Sequence, residues 1–149
     1  MKMLVNKKAT YLYDILETHE AGIVLKGAEV KSIREGNVNF TDSFVRVIGG
    51  EMYLCNFHIA PYPSATQDYD PRRERKLLLH KREIEKLAGV LSQKGLTLIP
   101  LRIYFKKGKV KVEIGLAKGK RKYDKREKLK RRYIEREMKR EIKERERLR

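Results

Sequence analysis

Cysteine is nearly absent from this sequence: Cys55 is the only one in 149 residues. A single thiol excludes an intramolecular disulfide and a cysteine-based zinc cluster. Histidine is scarce too, and His19, His58 and His80 stand at no metal-ligand spacing with each other or with Cys55. No run of about 18 apolar residues occurs, so no helix is expected to span a bilayer. The opening residues, Met1 to Lys8, hold too short an apolar stretch for a secretory signal, and the cytoplasm is the expected compartment. Signatures of catalysis are missing: there is no phosphate loop, no dinucleotide fingerprint and no nucleophile elbow. Asp68 and Asp70 are close enough in sequence to act as a carboxylate pair, but the loop marked by Pro61, Pro63 and Pro71 accounts for them as turn residues. The sequence therefore reads as no enzyme, with no cofactor and no metal.

Positive charge is what the sequence has in excess. Lysine and arginine number 37 against 20 acidic residues, a formal net charge of +17. Such an excess favours a polyanionic partner, because phosphates attract it and released counterions stabilise the complex. Nucleic acid and an anionic membrane surface both qualify. The charge is unevenly spread. Residues 118–149 hold 17 basic and 7 acidic residues, a net of +10, with no proline and one glycine, Gly119. Residues 1–117 carry the remaining +7. This shift predicts a folded domain over 1–117 and a basic C-terminal tail over 118–149.

The first part reads as mainly β. Residues 11–26 look extended, with Tyr11, Tyr13 and Ile15 alternating with Leu12, Asp14 and Leu16, interrupted by a turn-like Glu17-Thr18-His19-Glu20. Val30 and Ile33 are three apart and Gly36 follows, which suits a short helix or, alternatively, a strand. Phe44–Ile48 and Met52–Phe57 flank Gly49-Gly50 and form a hairpin signal. Arg72-Arg73-Glu74-Arg75-Lys76 is a basic loop, able to meet phosphates or simply solvated, and Leu77-Leu78-Leu79 is a buried strand or linker. Over 81–94, Ile84, Leu87, Ala88 and Leu91 recur at helical spacing up to Gly95. Ile99, Leu101, Ile103 and Phe105 then face one way, as do Val110, Val112, Ile114 and Leu116, across a turn at Lys106-Lys107-Gly108-Lys109. Lys109 and Lys111 point away from the core. Six or seven short strands with one or two short helices suit a small OB-type Greek-key barrel, with a β-sandwich second.

The tail has helix-forming composition and little to bury. Ile134, Met138 and Ile142 make one narrow stripe beside Tyr133. Pairs such as Glu127–Arg131, Glu135–Lys139 and Glu141–Arg145 add a few tenths of a kcal/mol each. Such a segment is expected to be disordered when free and helical when bound. Its start, Lys118 to Arg126, combines six cations with one ring, Tyr123, able to stack on a base. These features favour RNA.

Several short strings then occur in a telling order: Asn6-Lys7-Lys8-Ala9, Glu20-Ala21-Gly22, Gly27-Ala28-Glu29-Val30-Lys31-Ser32-Ile33-Arg34, Asp42-Ser43, Arg75-Lys76-Leu77-Leu78-Leu79, and Gly115-Leu116-Ala117-Lys118-Gly119-Lys120 running into Tyr123-Asp124-Lys125-Arg126. Together they make the chain resemble the small protein B family, the SsrA-binding proteins. The resemblance implies an OB-type barrel that grips the transfer-RNA-like part of transfer-messenger RNA. It implies delivery to stalled ribosomes for trans-translation, alongside elongation factor Tu. It implies a tail that acts on small-subunit RNA in the decoding centre and becomes helical in the message channel. By position, Glu20, Leu78 and Lys111, joined by Asn6, Lys7 and Lys8, match residues tied to gripping the RNA. Gly119, Asp124, Lys125 and Arg126 match those tied to the ribosome. Tyr123 stands where some members carry His; both rings stack, but Tyr is neutral at pH 7. A carboxylate such as Glu20 repels phosphates, so its use would be to accept a hydrogen bond from a base edge or 2′-hydroxyl, or to orient a lysine. The competing readings are a structural ribosomal protein or general RNA-binding translation accessory, and an RNA-processing enzyme.

Overall fold

The computed structural model describes residues 3–63, 69–93, 95–120, 136–140 and 143. The chain divides into two compact units, Met1–Gly119 and Lys120–Arg149. In the second, residues 136–140 are helical, Met138 is exposed, and Arg140 Nη1 lies 3.7 Å from Glu137 Oε1. Tyr133, Ile134 and Ile142 of the expected stripe lie outside the described residues, as do Tyr123, Asp124, Lys125 and Arg126.

The first unit runs β1 (Leu4–Val5), α1 (Ala9–Leu12), β2 (Tyr13–Ile23), α2 (Gly27–Arg34), β3 (Val38–Asn39), β4 (Phe44–Ile48), β5 (Glu51–Cys55), β6 (His58–Ile59), β7 (Arg75–Leu78), α3 (Lys81–Leu91), β8 (Leu96–Lys106) and β9 (Lys109–Gly119). Six antiparallel strands follow one another as β8-β4-β5-β7-β2-β9, and β9 pairs back onto β8. The sheet therefore closes into an OB-type barrel, which hides its edges. β1 extends the far side of β8, and β3 with β6 makes a separate ribbon. The hairpin β8–β9 turns on Lys107 and Gly108, both at positive φ, and β4–β5 turns on Gly49 and Gly50 in the same way. Two consecutive positive φ values match the twist of the flanking strands.

Val110, Val112, Ile114 and Leu116 alternate into the core, joined by Met52, Leu54, Leu77, Leu98 and Ile103. α3 adds Ile84 and Leu87 from its apolar stripe. Burial of this kind contributes on the order of 25 cal/mol per Å² of apolar surface.

Four sequence expectations are corrected. Tyr11 and Leu12 are helical, because their N–H groups bond back to the Lys8 carbonyl at 3.1 and 3.0 Å. Glu17–Glu20 is mid-strand, because β2 pairs with β9 from Tyr13 to Gly22 and that ladder overrides the local turn preference. Ile99, Leu101, Ile103 and Phe105 do not share one face. A bulge between Pro100 and Arg102 sends Ile99 and Leu101 to a small cluster with Ala9 and Ala117, and leaves Ile103 in the main core. Gly115 sits under that bulge, where an added Cβ would lie 2.8 Å from Leu101 Cδ1.

The fourth concerns the basic loop. Arg75 is wholly buried, not solvated, and its Nε donates to Glu29 Oε2 at 2.5 Å. Its other nitrogens donate to the Phe57 carbonyl at 2.5 Å and the Pro71 carbonyl at 2.9 Å. Glu29 is equally buried and accepts from Arg73 and from the Lys26 N–H, which caps α2. Burial alone would raise the Glu29 carboxyl; hydrogen bonds from Arg73, Lys26 and Arg75 outweigh it and hold it below its ordinary value. A depressed carboxyl contributes stability that is present above its unfolded pKa, near 4.5, and is lost as pH falls through the folded value. Glu29→Gln leaves the Arg75 charge buried without its counter-charge, and should cost about 3–5 kcal/mol in urea unfolding at pH 7. The variant's stability should also vary less between pH 5 and pH 3 than that of the unaltered protein.

Candidate nucleic-acid interface

The outer face of the barrel is assembled by strand register. Leu78 on β7 pairs with Gly22 on β2, Gly22 with Lys111 on β9, and Lys111 with Tyr104 on β8. At about 4.8 Å per strand, these four residues form one row roughly 14 Å long. Leu78, though apolar, is 52% exposed. It lies over the bare backbone of Gly22, where an added Cβ would come within 3.2 Å of Leu78 Cβ. The next row along the strands is Glu20, Glu113 and Arg102, in which Arg102 Nε is 3.6 Å from Glu113 Oε1.

Glu20 bridges the two rows. The Tyr104 hydroxyl donates to Glu20 Oε2 at 2.5 Å, and Lys106 Nζ donates to both carboxylate oxygens at 3.3 and 3.4 Å. The hydrogen bond from Tyr104, followed by that from Lys106 and the positive charges of Lys106 and Lys111, holds the Glu20 carboxyl below its ordinary value. Partial burial, with the carboxylate beside it, pushes the Tyr104 hydroxyl up to about 12. Both groups thus keep their bonding states through the neutral range.

The β8–β9 turn brings Lys106, Lys107, Lys109 and Lys111 together within six residues, three of them exposed. Lys109 and Lys111 border a depression of about 330 Å³ whose other walls include Gly22, Leu25, Val30 and Leu78. Apolar floor and cationic rim suit a ring with a neighbouring phosphate. Several other basic residues are engaged by the protein itself. Arg34 stands over the Phe105 ring and Lys31 over Tyr62, each at 5.4 Å, Arg46 pairs with Glu74, and Lys76 pairs with Glu51.

The sequence-predicted residues thus fall into three places. Glu20, Leu78 and Lys111, 91 positions apart in the chain from first to last, meet on one face. Asn6, Lys7 and Lys8 line a different cavity, of about 400 Å³, with Tyr13, Phe40 and Asp42. Asp42 is held there at φ +61°, and its carbonyl accepts from Asn56 Nδ2 at 3.2 Å. Gly119 ends β9 opposite Tyr13, so Lys118 and Gly119 belong to the paired barrel strand. Tyr104 and Lys106 join this face through their bonds to Glu20, and the two-residue turn at Lys107-Gly108 dictates that Tyr104 faces Lys111.

Asn6 also has an internal task. Its Nδ2 donates to the Pro100 carbonyl at 2.9 Å, and its backbone N–H donates to the Leu101 carbonyl at 2.8 Å. It therefore satisfies carbonyls exposed by the β8 bulge. Asn6→Ala should lower stability by about 1 kcal/mol in chemical denaturation, even in the absence of any RNA.

Among the described residues, no group of three or more His, Cys, Asp and Glu is placed to hold a metal ion, and no helix is long and apolar enough to cross a membrane. Comparison with known proteins adds family membership. The family profile described as SmpB protein matches residues 3–144. The SsrA-binding protein of Persephonella marina is 62% identical over 138 residues, covering 92% of this chain and 88% of that protein. That of Aquifex aeolicus is 60% identical over 140 residues, covering 93% and 89%. A chain in the solved structure described as "tmRNA-SmpB: a journey to the center of the bacterial ribosome" is 56% identical, superposes with a TM-score of 0.70, and covers 80% of this chain and 85% of its own. With profile, relatives and barrel in agreement, the chain belongs to the SmpB protein family.

Proposed function

We propose that this protein binds the transfer-RNA-like domain of transfer-messenger RNA and delivers it to stalled ribosomes for trans-translation, which rescues the ribosome and tags the unfinished peptide. The observation that carries the reading is the Leu78–Gly22–Lys111–Tyr104 row, flanked by Glu20 and the lysine-rich β8–β9 turn. Folded RNA is recognised by shape, backbone phosphates and unstacked bases. A rigid sheet face with an apolar depression and a cationic rim offers all three. Leu78 supplies an apolar surface, Lys111 a phosphate partner, and Asn6, Lys7 and Lys8 a second cationic approach around the neighbouring cavity. The names of the SsrA-binding relatives and the described tmRNA complex support the choice of RNA.

The tail has the second role. Gly119 leads out of the barrel strand, and Tyr123, Asp124, Lys125 and Arg126 follow it into the segment of highest positive charge. In this reading those residues act on small-subunit RNA in the decoding centre, and the remainder becomes helical in the message channel. Elongation factor Tu accompanies the complex during delivery, and the work is cytoplasmic. The chain performs no catalysis of its own; it binds, positions and delivers.

Two measurements test the division of labour. Lys111→Ala should weaken binding of the isolated RNA domain and reduce the slope of log K against log salt by about 0.9, the share of one phosphate contact. An unchanged slope would show that Lys111 meets no phosphate. Removing residues 120–149 should leave affinity for the isolated RNA within a few-fold but abolish peptide tagging on stalled ribosomes. A large loss of RNA affinity on truncation would refute the separation into two roles.

A further inference from the structure

We propose that Glu20 is a positioning residue that acts on the RNA through Tyr104 and Lys106, and that the Tyr104 ring is itself an RNA contact. The inference rests on the RNA-binding reading above and assigns roles within the same face.

Three observations carry it. First, the carboxylate is already engaged: Oε2 accepts from the Tyr104 hydroxyl at 2.5 Å, and both oxygens lie within 3.4 Å of Lys106 Nζ. Three of the roughly four acceptor sites of the carboxylate are thus occupied, which leaves little for a base edge or a 2′-hydroxyl. Second, the two donors come from β8, whereas Glu20 comes from β2, with β9 between them. The bonds therefore span the outside of β9 and restrain a long ring and a longer lysine that would otherwise be free to turn. Third, Tyr104 stands beside Lys111 in the row that also holds Gly22 and Leu78. A ring whose hydroxyl is tied down at one end keeps its faces at a fixed angle, and a base or ribose stacks on a pre-oriented ring with less loss of freedom.

Charge supports the same assignment. A bare carboxylate on an RNA-binding face would repel phosphates, but its salt bridge to Lys106 leaves the pair neutral. Lys107, Lys109 and Lys111 then supply the attraction. Glu20 keeps Lys106 extended along the sheet, and the face presents an ordered line of donors instead of a mobile cluster.

A mutant cycle on the full chain tests this, using a transcript of the transfer-RNA-like domain and equilibrium binding at fixed salt, with thermal melts confirming that each variant is folded. Glu20→Ala is expected to weaken binding about tenfold, and Tyr104→Ala by a similar factor, that of one lost base stack. In the Tyr104→Ala/Lys106→Ala background, Glu20→Ala should change affinity less than about twofold, because nothing remains for it to position. If Tyr104→Ala does not fold, Tyr104→Phe replaces it: the ring stays, the link to Glu20 goes, and Glu20→Ala should lose most of its effect. A full tenfold effect of Glu20→Ala in either background would mean that the carboxylate touches the RNA directly, and the inference would fall. Tighter binding by Glu20→Ala would overturn it as well, since that is the mark of simple repulsion. Failure of the unaltered protein to bind the transcript would refute the RNA-binding reading and this inference with it, whereas intact binding with an unaffected Tyr104→Ala variant would refute this inference alone.

Discussion

The ion pair between Glu29 and Arg75 is the constraint on which the outer face of the barrel depends. Four chain segments converge on it: the start of α2 through Lys26 and Glu29, the turn after β5 through the Phe57 carbonyl, the loop at Pro71, and the first residue of β7. Two fully buried charges are a costly arrangement, and apolar residues of the same size often serve stability equally well. What the pair contributes is position. A buried guanidinium must find acceptors for its donors, and here each direction is occupied by a different segment, so β7 can begin in one place only. Three residues further on, Leu78 then falls opposite Gly22. A shift of β7 by one residue would turn Leu78 inward and Leu77 out, and would also carry Lys76 to the core side and Arg75 away from Glu29.

This explains why the basic residues of the chain cannot be treated as one pool. Arg73 and Arg75 neutralise a buried carboxylate, Arg46 and Lys76 pair with Glu74 and Glu51, and Arg34 and Lys31 cover aromatic rings. Each of these is committed to a partner within the fold. The residues of the β8–β9 turn differ in kind, because a two-residue turn with positive φ at both positions projects its side chains beyond the sheet. Net charge alone announces a polyanionic partner. Only the fold separates the cations that build the surface from those that it presents.

Much of the barrel was legible in the sequence, and the reasons are local. Alternation from Val110 to Leu116, the Gly49-Gly50 hairpin and the apolar stripe from Ile84 to Leu91 each follow from one period or one turn type, and all three are present. The bulges in β2 and β8 were not legible, because a bulge is a relation between two strands and leaves the period of each nearly intact. Arg75 misled for a related reason. Its sequence neighbours are basic and polar, and the carboxylate that draws it inside lies 46 residues earlier. Glu20 is singled out by likeness to a family alone, whereas the alternation from Val110 to Leu116 also places Lys111 on the outer face. Tyr104 carried no such mark.

Yet Tyr104 follows from the same physics as the rest. Once the turn is fixed at Lys107 and Gly108, pairing runs outward through Lys106 with Lys109 and Phe105 with Val110 to Tyr104 with Lys111. Period-two alternation then puts Tyr104 and Lys111 on the outer face together, and the β2 register adds Gly22 and Glu20. The face is thus an output of three registers: one set by a turn, one by the long β2–β9 ladder, and one by a buried ion pair. None of the three involves a residue of the presented face in its own specification, apart from those the ladders pair. The fold can therefore hold the spacing of Leu78, Lys111 and Tyr104 rigidly while the side chains themselves remain free to vary. Glu20 is the one member that ties the face to itself, since its bonds run sideways across β9 to two side chains of β8 and make the presented groups part of the structure that presents them.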